Sequence, residues 1–135
     1  MTKTFITDYA DYISGEKWAI AVGYQYYLVS NYGRVYSLKH KKILKYNVVT
    51  RNYLEVKLKR NDGKFEHVKI HRLVAKMFVD NPQGKMIVHH IDCNNQNNKA
   101  DNLMWVTAEE HIQIHRQLRE AAKQSQKQNG GDMNE

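Results

Sequence analysis

Apolar and polar positions change their period several times along this chain. In "YLEVKLKR", Leu54, Val56 and Leu58 alternate with Glu55, Lys57 and Lys59, the period of a half-buried strand. "RNDGK" supplies an Asp62-Gly63 turn, and "KFEHVKI" resumes a strand with Phe65, His67 and Lys69 on one side and Glu66, Val68 and Ile70 on the other. Upstream, runs at about Tyr26–Ser30 and Arg34–Leu38 flank "SNYG", which predicts a hairpin closing on Gly33. "HRLVAKMF" then shifts to helical spacing, with Leu73, Val74, Met77 and Phe78 as its stripe, until Pro82 and Gly84 in "DNPQGK" break it. "MIVHH" and "NLMWV" read as two strands around an asparagine-rich loop. Thr107 with Glu110 three residues on forms a capping box for a helix from about Ala108 to Lys123. The polar stretch "QSQKQNGGDMNE" from Gln124 is expected to be disordered. The pattern predicts an α+β fold: an N-terminal antiparallel sheet module, then strand, loop, strand and helix. The segments are an extension at 1–15, the sheet module at 16–70, a helix with the strand–loop–strand–helix unit at 71–123, and a tail at 124–135.

At 135 residues and 41% hydrophobic, the chain suits one domain or two small modules sharing a core. Charge changes the picture more than composition does. The net charge is +7, yet residues 34–76 hold 13 Lys and Arg against three acids, while segments 1–33, 77–106 and 107–135 each come to −1. The positive excess therefore lies on the expected sheet block and points to a polyanionic partner. Arg34, Lys57, Lys59 and Arg60 are the candidate contacts there, with Arg72 just beyond. A single cysteine, Cys93, excludes an internal disulfide and a Cys-rich zinc knuckle. No run has the length of a signal peptide or a membrane span, so the expectation is a cytosolic chain with neither a membrane partner nor a small-molecule cofactor.

Four of the seven histidines fall between Val88 and His115. His111 and His115 are four apart, so on a helix they share one face about 6 Å apart, and neutral imidazoles there can bind one divalent ion. A third ligand must come from the neighbouring strands. On a strand, His89 and His90 point to opposite faces, so only one of the two joins a metal readily. The other faces a substrate from a different direction, where an imidazole can act as a base.

The stretch "VHHIDCNNQNNKADNLMWVT" resembles the HNH nuclease motif in the form found in phage and intron homing endonucleases. The matching residues are Val88, His90, Asp92, Asn94, Asn97, Asn98, Asn102, Leu103, Trp105, Val106, Thr107 and Glu110. Upstream, "VKIHRLVAKMFVDNP" is similar to the helix that precedes this motif, and "EKWAIAVGYQYYLVSNYGRVYSL" resembles the accompanying sheet module, so the likeness covers roughly Glu16 to His115. It implies a ββα-metal finger that hydrolyses phosphodiesters of double-stranded DNA with one divalent cation. Carried over, His90 matches the general base, Asn102 the residue that orients its imidazole, and His89 and His111 the metal-ligand positions. His115 falls where colicin-type relatives place a further metal histidine. The chain departs from the pattern where His89 replaces Asn or Asp, His111 replaces Asn, and Cys93 replaces Gly. The oxygen-rich site of the family prefers Mg²⁺ or Mn²⁺; an imidazole set also admits Zn²⁺, Ni²⁺ or Co²⁺. Asp92 is expected to stabilise the loop, and Leu103 and Trp105 to pack the finger. A packaging-associated phage nuclease, or a DNA-binding protein whose finger holds structural zinc, are the alternatives. Nothing in the sequence fixes a monomer or a dimer.

Overall fold

The computed structural model describes residues 13–133, with side chains to residue 125. Most of the expected N-terminal extension lies outside the described residues. The elements follow the chain as three small antiparallel sheets and two helices. Strands β1 (Trp18–Ile20), β2 (Tyr27–Ser30), β3 (Val35–Ser37) and β4 (Lys42–Ile43) pair in sequence order. Strands β5 (Asn47–Val48), β6 (Leu54–Lys59) and β7 (Phe65–Lys69) form a second sheet in the same meander fashion. Helix α1 (Ile70–Phe78) leads to a two-stranded ribbon, β8 (Ile87–His90) with β9 (Leu103–Val106), and then to α2 (Ala108–Met133).

The two hairpins expected from their turns form. Gly33 and Gly63 both adopt positive φ, +88° and +90°, which costs glycine little and an L side chain more. The capping box is present: Glu110 N donates to Thr107 Oγ1, and Thr107 N to Glu110 Oε1. Strands β1, β4 and β5 were not expected, because segments of two or three residues are too short to show a period. Ile70, expected at the end of a strand, is the first helical residue. The tail is not an irregular segment at its start: α2 continues ten residues beyond Lys123 to Met133. Alanine, lysine and glutamine between Ala121 and Gln128 have adequate helix propensity, and no proline stops the helix there.

The modules share one core. Val29 and Val35 of the first sheet, Val56 and Leu58 of the second, Leu73 and Val74 of α1, and Val88 and Leu103 of the ribbon belong to a single buried cluster. Truncating a side chain such as the fully buried Leu58 would cost about 2–5 kcal/mol. Trp18, Leu28 and Tyr36 form a second, smaller cluster on the other face of the first sheet. Further contacts join the first module to the loop between β8 and β9. Ala100 N donates to Asn31 O, and Asn95 Nδ2 to Arg51 O, each at 2.8 Å. Among the described residues no helix is long and apolar enough to cross a membrane.

Candidate metal centre and catalytic site

Strand β8 carries both histidines of the pair, in register with β9 through His89↔Met104 and His90↔Leu103. The pleat sends their rings to opposite sides, as the sequence predicts. His89 faces α2. Its ring centroid lies 5.6 Å from that of His111 and 5.9 Å from that of His115, and the two helix rings are 4.4 Å apart. One ligand nitrogen from each of the three lies within 4.8 Å of the others. The Nε2 atoms of His111 and His115 approach to 3.0 Å. Two nitrogens each about 2.1 Å from one ion would stand about 3.4 Å apart in a tetrahedral site, so little movement is needed. The donor set therefore fits a divalent metal with nitrogen preference. Burial, then the neighbouring imidazoles His111 and His115, hold the His89 pKa below the usual histidine value. Burial and then His115 do the same for His111. Both shifts favour the neutral rings that a metal needs.

His90 faces α1 and the loop. It is buried, with Nε2 2.8 Å from Asn98 Oδ1. An amide oxygen accepts, so this contact places the ring proton on Nε2 and leaves Nδ1 as the basic nitrogen. The ring centroid of His90 lies 5.0 Å from that of His71, the second residue of α1, and 6.1 Å from that of Tyr53, which precedes β6.

Asn102 does not orient this imidazole. Its Oδ1 accepts from Asp92 N, while its Nδ2 donates to Asp92 Oδ1 and Asn97 O. It staples the loop, and Asn98 takes the place beside the ring. The motif holds Asn97, Asn98 and Asn102 within six residues, and spacing alone cannot say which amide turns inward. Gly33 bears on this choice, because a Cβ there would stand 3.1 Å from Asn98 Cβ. Asp92 has the stabilising role expected of it. It accepts from Asn97 Nδ2, Asn94 N and Asn102 Nδ2, which together hold its carboxyl below the usual range. Cys93 adopts φ +63°, the conformation that suits the glycine it replaces. Leu103 is buried, and Trp105 donates to Val79 O.

The candidate DNA contacts divide. Arg34 is engaged inside the protein: its guanidinium pairs with buried Glu16 and lies 5.3 Å over the Trp18 ring. It is a brace of the first sheet, which charge counting could not distinguish from a surface cation. Arg60 is exposed but pairs with Asp62 at 2.7 Å and lies 3.9 Å from Glu66. Lys57 is exposed and Lys59 half-buried, and they stand opposite His67 and Phe65 on the outer side of the second sheet. Arg72 donates to Met86 O and lies over Trp105, beside a cleft that Lys76 and Lys85 also line.

Comparison with known proteins finds matches under both the sheet module and the finger. The HNH endonuclease family model matches residues 68–113, and the NUMOD4 motif matches residues 16–59. An uncharacterized HNH endonuclease of Acanthamoeba polyphaga mimivirus is 43% identical over 93 residues, covering 67% of this chain and 23% of the relative. DNA endonuclease I-HmuI of Bacillus phage SP01 is 37% identical over 98 residues, covering 72% of this chain and 56% of the phage protein. H-N-H endonuclease F-TflII of Escherichia phage T5 is 35% identical over 98 residues, covering 71% and 50%. A solved structure described as DNA binding and cleavage by the HNH homing endonuclease I-HmuI aligns with a TM-score of 0.67 and 35% identity, over 81% of this chain and 64% of that one. The chain thus spans between 23% and 56% of the length of these curated relatives. With one match under the sheet module, another under the finger, and phage endonucleases similar across both, the chain carries an HNH endonuclease domain with a NUMOD4 motif ahead of it.

Proposed function

We propose that this chain is a homing-type endonuclease that hydrolyses phosphodiester bonds of double-stranded DNA with one divalent cation. The observation that carries the reading is the division of labour across β8: three imidazoles converge on one side, and a single amide-bound imidazole stands on the other. His89, His111 and His115 would hold the cation. When bound, such a cation supplies neutralisation of the charge developing on the scissile phosphate and its leaving 3′ oxygen. His90 takes a proton from the attacking water at Nδ1, while Asn98 keeps the other ring proton on Nε2. Asp92, Asn97 and Asn102 hold the loop that presents Asn98. Lys57 and Lys59 meet backbone phosphates from the outer face of the second sheet, and Arg72 serves the cleft beside the finger. An all-imidazole set favours Mn²⁺, Co²⁺, Ni²⁺ or Zn²⁺ over Mg²⁺.

Plasmid nicking with each of these ions, with and without EDTA, tests the reading. Nicking that EDTA abolishes is expected, and His90→Ala should slow it by ~10²–10⁴-fold while DNA and metal binding persist. DNA binding without nicking in any metal would instead make the finger a structural one.

A further inference from the structure

His71 has no role in the chemistry above, yet among the described residues it holds one of two buried side-chain polar atoms without a hydrogen-bond partner. It lies in the first turn of α1 and is only 6% exposed. Its Nδ1 is buried with no hydrogen-bond partner. Leaving such a group unpaired costs about 1–3 kcal/mol, a penalty an apolar side chain would avoid. Its surroundings show what the ring does. One face stacks on Tyr53, with centroids 4.9 Å apart and planes 23° from parallel. On another side lies the ring of His90, 5.0 Å away and tilted by 52°. Three rings from three segments therefore cluster, with Tyr53 itself 6.1 Å from His90: the segment before β6, the start of α1 and the end of β8. Burial holds the His71 pKa down at about 3, so the ring is neutral and packs beside His90 without charge repulsion.

We propose that His71, backed by Tyr53, is a positioning residue for His90: its ring fixes the plane of the catalytic imidazole, while Asn98 fixes which nitrogen carries the proton. A hydrogen bond at Nε2 alone leaves the His90 ring able to rock about that contact. The ring cluster removes this freedom, and it makes the sheet module part of the catalytic apparatus, because Tyr53 belongs to that module. The inference rests on His90 being the base.

The test is steady-state and single-turnover cleavage of plasmid DNA by the full chain with Mn²⁺, together with calorimetric Mn²⁺ titration. His71→Ala should lower kcat by ~10–100-fold, as a misplaced catalytic group does, with KM and the Mn²⁺ Kd within about twofold of wild type. His71→Phe, which restores the ring and not the nitrogens, should recover kcat to within about threefold of wild type. The ring-proton NMR signals of His90 should move and broaden in His71→Ala and return towards their wild-type positions in His71→Phe. Tyr53→Leu should lower kcat in the same direction by a smaller factor, and carries the test if His71→Ala does not fold. A wild-type kcat per folded molecule in both His71→Ala and Tyr53→Leu would overturn the proposal, as would a His71→Phe protein as slow as His71→Ala. His90→Ala separates the two levels. Undiminished cleavage there would remove the base itself, whereas lost cleavage there beside an active His71→Ala removes the positioning role alone.

Discussion

Part of the destabilisation of this protein by acid should come from one buried residue, His71. His71 falls from an ordinary value of 6.5 to about 3 in the folded chain, with burial as the largest cause and the nearby His90, Arg72 and Lys69 adding to it. A base whose folded pKa is depressed binds its proton more readily when unfolded. The stability tied to its neutral form is therefore complete above pH 6.5 and is lost progressively as the pH falls from 6.5 towards 3. Each pH unit in that window costs about 1.4 kcal/mol, so at pH 5 the loss is about 2 kcal/mol. That is a large part of the 5–15 kcal/mol typical of a domain. The perturbation that isolates it is His71→Phe, which keeps a ring of similar size and removes the titration. Urea unfolding at pH 7 and pH 5, in EDTA, gives the stability difference for each protein. His89 and His111 also titrate low, but they are present in both proteins and cancel. Wild type should lose about 2 kcal/mol more than the variant between the two pH values. Parallel losses would refute the reasoning, since the buried ring would then not be what protonation unfolds.

Four further outcomes follow from the geometry. Gly33→Ala adds a methyl group 3.1 Å from Asn98 Cβ at φ +88°. It should cost about 1–2 kcal/mol in a thermal melt and slow cleavage by shifting Asn98, and an unchanged melt would remove Gly33 as the seat of that loop. His115→Ala should weaken Mn²⁺ or Zn²⁺ affinity by at least ~10-fold in calorimetry, and equal dissociation constants would leave His89 and His111 as the only ligands of the three. Lys57→Gln with Lys59→Gln should flatten the slope of log K for DNA against log salt by about two units, whereas Arg34→Gln should lower the melting temperature, because its guanidinium already belongs to Glu16. A wild-type salt slope in the double lysine variant would place the phosphate-tracking face elsewhere.

What was legible in the sequence had a period or a spacing behind it. The alternation through Leu54–Lys59, the stripe of α1 and the opposite facing of His89 and His90 all follow from repeat geometry, and the structure has each of them. The i, i+4 spacing likewise brought His111 and His115 together. What escaped depended on contacts between distant segments. Asn98 rather than Asn102 meets His90 because the loop folds over Gly33, 65 positions earlier, and no local pattern contains that. Arg34 was a cation by composition and became a brace only when Glu16 came alongside. His71 lay in plain view at the edge of an amphipathic stripe, but its burial requires Tyr53 and His90 from either side. The extra turns of α2 show the reverse case, in which a polar composition suggested disorder although its residues permit a helix.

The alternation of β8 has one more consequence. Because neighbouring side chains leave a strand on opposite faces, the two functions proposed for His89 and His90 have separate neighbourhoods, α2 for one and α1 with the loop for the other. With the proposed roles, a substitution on α2 would exchange the preferred ion without disturbing proton transfer, and a change around His71 or Asn98 would retune the base without altering the ion. The three imidazoles proposed as ligands, one from β8 and two from α2, are what such freedom permits. The same geometry imposes a rigid condition. A slip of one residue between β8 and β9 would exchange the two faces, so the ladder that pairs His90 with Leu103 would guard the proposed chemistry as much as the fold.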